Sequence, residues 1–72
     1  MWKQGRIGWR YKYSVKVYDT PSSMGINRGR ISKLDLMKNG KIVASYDRGW
    51  DQKPTTAADK KVLDAILRKY PA

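Results

Sequence analysis

Residues 9–18 alternate without a break. Odd positions carry Trp9, Tyr11, Tyr13, Val15 and Val17, and even positions carry Arg10, Lys12, Ser14 and Lys16. Successive side chains of a strand point to opposite faces, so the pattern predicts a half-buried strand, aromatic on one side and cationic on the other. A chain with such a strand must cover its apolar side. At 72 residues there is room for a single domain with a small core.

The rest of the chain supplies the cover. Residues 2–7 read as a shorter strand, with Gly8 as the pivot of a turn into the next. Residues 19–30, DTPSSMGINRGR, are the longest irregular stretch, and loops of that length in a small domain are often functional or mobile. Residues 31–38 and 41–48 form a hairpin around Asn39-Gly40. Two registers compete there. A two-residue type I′ turn sets Leu36 beside Val43 and Leu34 beside Ser45. A three-residue loop with Gly40 in a bulge sets Leu36 beside Ile42 and Leu34 beside Ala44, and it gathers Leu34, Leu36, Ile42, Ala44 and Tyr46 on one side. A one-residue slip moves every side chain to the other face, so the apolar pattern favours the second.

Residues 47–56 read as a loop. Thr56, with Asp59 three positions on, has the form of a helix N-cap followed by an acid in the first turn. The helix is expected over residues 57–70. Ala58, Val62, Ile66 and Tyr70 make its apolar stripe with Leu63 and Leu67 alongside; Asp59 faces water, and Pro71 ends the helix. The expected fold class is α+β: a four-stranded antiparallel sheet of two hairpin-like pairs, with one C-terminal helix on one face.

Charge is the extreme property. Sixteen Lys and Arg face six acids, all Asp, for a net +10. Half of the excess lies in residues 1–18, where Lys3, Arg6, Arg10, Lys12 and Lys16 meet no acid at all. A surplus of this size attracts polyanions.

Catalytic chemistry has little to work with. Without His, Cys or Glu there is no imidazole base, no thiol nucleophile and no zinc site. Asp47 and Asp51, with Asp35 on the neighbouring strand, are the best group for Mg²⁺, but the plainer reading has them balancing Arg48 and Lys53 or closing a turn. No glycine-rich phosphate loop is present. No apolar run reaches the roughly 20 residues that span a bilayer, and the N-terminus lacks a signal-peptide core. The expectation is a cytoplasmic binding module and not an enzyme, with no cofactor, no metal, no small-molecule substrate and no membrane segment.

The opening MWKQGRIG, the stretch VKVYDTPSSMGINRGRISKL, the segment YDRGWD and the short closing helix resemble a family of small uncharacterised proteins. Its members occur on phages and conjugative or mobile elements of Firmicutes. The resemblance covers nearly the whole chain and implies a compact fold and a mobile-element origin. It brings no activity with it.

Two partners fit the charge. Nucleic acid is the first, with Lys3, Arg6, Arg10, Lys12, Lys16, Arg28 and Arg30 as phosphate contacts. On the strand of residues 9–18, however, the aromatics and the cations point to opposite faces, so that strand cannot both stack bases and hold phosphates. The second partner is an acidic protein, with Trp50 as an exposed anchor in its Gly-flanked loop. The competing role for Trp50 is a plug over the sheet edge.

Overall fold

The computed structural model describes residues 1–70. The alternating segment becomes β2 (Tyr11–Val17), with Tyr11, Tyr13 and Val15 buried and Lys12 exposed. On either side lie β1 (Trp2–Ile7) and β3 (Ile31–Lys38), and β4 (Lys41–Asp47) and β5 (Trp50–Gln52) complete an antiparallel meander in sequence order. One helix, α1 (Ala57–Lys69), follows. The sheet therefore has five strands, not four. The fifth comes from the expected 47–56 loop: Asp47 N–H donates to the Gly49 carbonyl, the chain reverses, and Trp50 falls opposite Tyr46.

Two strand ends differ from the alternation. Gly8 has φ +62°, and the turn takes residues 8–10, pairing Ile7 with Tyr11. Trp9 is thereby lifted out of the strand and is 78% exposed. At the next tip, Asn39 and Gly40 have φ of 51° and 80°, the left-handed pair of a type I′ turn, and Lys38 lies opposite Lys41. The register then shifts: Met37 meets Ile42 while Leu36 meets Ala44, so Val43 is the extra residue of a bulge. Neither uniform register is correct. The bulge brings Leu34, Leu36, Ala44 and Tyr46 to the core side, as the apolar pattern required, and leaves Ile42 on the opposite face, 48% exposed.

Loop 19–30 is tied down. Ile26 is 4% exposed, the Tyr46 hydroxyl donates to the Met24 carbonyl at 2.8 Å, and Ser22 N–H donates to the Gly29 carbonyl at 3.0 Å. A Cβ on Gly25 would collide with that same carbonyl, so the loop closes on itself only with glycine there.

Thr56 caps α1, its hydroxyl accepting from Asp59 N–H at 3.1 Å. The buried positions of α1 are Asp59, Leu63 and Ile66, with Val62, Leu67 and Tyr70 partly buried. Asp59 thus points into the sheet and not into water, and Ala58 is exposed. The carboxylate is accommodated because the Tyr11 hydroxyl donates to it at 2.5 Å and the Lys38 ammonium lies 3.8 Å away. Tyr70 ends the helix; Pro71, the expected terminator, lies outside the described residues. Among the described residues no helix is long and apolar enough to cross a membrane.

Candidate nucleic-acid interface

A single helix can cover only one face of a sheet, and α1 packs on the face of Tyr11, Tyr13, Val15, Leu34, Leu36, Ala44 and Tyr46. Among the described residues no element covers the other face, where Trp2, Gln4, Arg6 and Lys12 are exposed. Directly opposed residues of antiparallel strands share a face, so the pairing divides it into three rows. Arg6, Lys12, Met37 and Ile42 make the first, Gln4, Ser14, Asp35, Ser45 and Gln52 the second, and Trp2, Lys16, Lys33 and Asp47 the third.

Charge is divided across these rows. On β1 and β2 the open face carries Arg6, Lys12 and Lys16 with no acid. On β3 and β4 it carries Lys33, Asp35 and Asp47; Asp35 accepts from the Ser45 hydroxyl at 3.1 Å, and Lys33 lies 3.9 Å from Asp47. Two like-charge pairs stand directly across from one another, Arg6 from Lys12 and Lys16 from Lys33. Like charges so placed are destabilising, and beside Lys33 the Asp47 carboxylate offsets part of the repulsion.

The seven cations singled out in the sequence separate into groups. Arg6, Lys12 and Lys16 lie on the open face. Arg10 adjoins them at the 8–10 turn, where it and Trp9 line a groove of about 240 Å³ with Lys12, Met37, Asn39 and Gly40. Its guanidinium carbon lies 4.7 Å from the centre of the Trp9 ring. Lys3 pairs with Val15 and so belongs to the helix side, where it shares a hollow with Arg30, Asp19 and Tyr70. Arg28 sits in the loop with φ +57°, exposed. Four of the seven thus lie on the open face or the turn that adjoins it, where Lys33 joins them.

Trp50 is half-buried, its ring edge-on to Tyr46 at 5.1 Å, the plug over the sheet edge and not a projecting anchor. Asp51 is exposed on β5, and among the described residues no three acids gather where a metal ion would be held.

The profile of a family described as a domain of unknown function, DUF7678, matches residues 1–71. The chain belongs to that family. No curated protein and no solved structure matches it. For this DUF7678 domain the open face must speak for itself.

Three side chains of that face stand outside the seven cations and Trp50. Lys33 had a signal, since Leu34 and Leu36 turned inward leave Lys33 and Asp35 turned out. Trp2, 51% exposed, had one too: it shares its parity with Gln4 and Arg6. Tyr18, at the end of β2, is 41% exposed with the Lys16 ammonium 5.5 Å from its ring centre. Ser32 and that ammonium hold the Tyr18 phenol below its ordinary value. The rule that one strand cannot offer both charge and aromatic surface holds for β2 of the DUF7678 domain. Its neighbour β1 breaks the rule for the sheet, by placing Trp2 beside Lys16 on the cationic side.

Proposed function

We propose that this DUF7678 domain is a nucleic-acid-binding module that holds phosphates on the β1–β2 half of its open sheet face. Arg6, Arg10, Lys12 and Lys16 make the contacts. The observation that supports the reading is the opposed pair Arg6 and Lys12, with Lys16 farther along β2, on a face that no other element covers among the described residues. Repulsion of that kind is relieved when a polyanion lies across it, and each neutralised phosphate releases counterions. An acidic protein docked on Trp50 has less support, because that ring is already packed on Tyr46.

Fluorescence titration with labelled oligonucleotides at about 50 mM and about 200 mM salt tests the proposal. Four phosphate contacts give a log–log slope near −3.6 on duplex and near −2.8 on single strands. On single strands affinity then falls about 50-fold between the two salt concentrations. No binding at the lower salt removes the proposal.

A further inference from the structure

Exposed tryptophan is unusual in a chain so short of core, and this domain leaves two outside. Trp2 is 51% exposed and Trp9 78% exposed, while Trp50 packs on Tyr46. The two exposed rings stand at opposite ends of the same cationic strip. Trp2 is paired with Lys16, near the end of β2, and Met1 extends the pairing because its carbonyl accepts from Val17 N–H at 2.8 Å. Trp9 lies in the turn that leads into Tyr11, beside Arg10, bordering the groove of Lys12 and Met37 on one side and a hollow with Ile7, Tyr11 and Val62 on the other. From Lys16 to Tyr11 is five residues, or about 17 Å of extended strand. Between them lie Arg6 and Lys12, and no acid of β1 or β2 interrupts the strip.

We infer that the face takes single-stranded nucleic acid in preference to duplex, with Trp2 and Trp9 stacking on bases at the two ends and Arg6, Arg10, Lys12 and Lys16 holding the phosphates between. This rests on the phosphate-binding proposal above and narrows it. A duplex keeps its bases stacked on one another and offers a flat indole nothing but backbone. A single strand can splay its bases onto aromatic rings while its phosphates follow a basic track. Arg10 over Trp9 strengthens such a platform, since a guanidinium can neutralise a phosphate while its plane stays on the ring.

The test compares an oligothymidine of about 12 nucleotides with a duplex of similar length at about 50 mM salt, reading intrinsic tryptophan fluorescence and labelled-oligonucleotide anisotropy. The variants are Trp2→Leu and Trp9→Leu, with Trp2→Tyr and Trp9→Tyr as conservative partners; thermal melts check that each folds. The expected result is tighter binding and quenching with the single strand. Each Leu variant then loses roughly 5- to 100-fold on the single strand, the salt slope is unchanged, and Tyr restores most of the loss. Equal affinity for duplex, or Leu variants that bind the single strand as the parent does, overturns the inference while leaving phosphate binding standing. No binding of either oligonucleotide overturns both.

Discussion

Replacing Lys12 with Gln separates the cost of the cationic face from its use. Lys12 is exposed, sits directly opposite Arg6, and has the uncharged Met37 on its other side. Gln keeps an unbranched stem over the same surface and removes only the charge. Two unit charges about 8 Å apart at the surface repel by about 0.5 kcal/mol in water. At about 10 mM salt, where the screening length is near 30 Å, about 0.4 kcal/mol of that remains; at about 1 M almost none does. The variant is therefore expected to melt about 2–3 °C higher than the parent at low salt and at the same temperature in molar salt. The opposite effect is expected in binding, where the loss of one phosphate contact makes the single-strand salt slope shallower by about 0.7. Differential scanning calorimetry at the two ionic strengths and titration on the same preparations give both numbers. Destabilisation at low salt, a shift that persists in molar salt, or an unaltered slope each refutes the reasoning.

Other consequences lie within the fold. Asp59→Ala strips the acceptor from the Tyr11 hydroxyl and the partner from Lys38, and urea denaturation should show a loss of about 1.5–3 kcal/mol. Gly5→Ala would bring a Cβ within 2.5 Å of the Tyr13 phenol oxygen; a loss of about 1–3 kcal/mol is expected, and an unchanged melting temperature would mean the ring slides away at no cost. High pH should weaken the fold through Tyr70 and Tyr11, the opposite of the effect of Tyr18, whose phenol is lowered. The hydrogen bond with Tyr13, and burial, push the Tyr70 phenol up from 10.0 to about 12. The hydrogen bond to Asp59 raises Tyr11 as well. A pKa raised by folding means that the neutral phenol is favoured in the native state. Its contribution is complete below pH 10.0 and fades as pH climbs toward about 12. Melts across that range should show the decline, and Tyr70→Phe should flatten the Tyr70 share of it.

How far the sequence discloses this fold depends on how local each instruction is. The alternation of residues 11–17, the Asn39-Gly40 turn and the Thr56 cap act within a few residues, and each appears where local chemistry places it. The hairpin of β3 and β4 follows neither uniform register, and the favoured three-residue loop with its bulge at Gly40 does not form. The type I′ turn sets the tip, and the bulge at Val43 corrects the faces below it. β5 is three residues long and pairs only through Ser45 and Tyr46, too short to carry a period. Asp59 read as a solvated first-turn acid because its partners, Tyr11 and Lys38, are remote in sequence. Polarity alone does not reveal a buried carboxylate whose hydrogen bonds are supplied from elsewhere.

The interface was legible strand by strand and hidden between strands. Alternation assigns Trp2, Gln4 and Arg6 to one face of β1 and Lys3, Gly5 and Ile7 to the other, but it does not say which of these joins the cations of β2. The length of the 8–10 turn decides that. An odd number of turn residues aligns the even positions of β1 with the even positions of β2; a two-residue turn would send Trp2 to the helix side and Lys3, Gly5 and Ile7 to the cationic side. Gly5 favours the odd turn, because it lies opposite Tyr13 and leaves the space that the phenol occupies. In the alternative register Gln4 would stand there, with a side chain where the ring must go. The tight fit of Tyr13 on a glycine, a packing demand of the buried face, thus favours the register that sets an indole among the lysines and arginines of the exposed one.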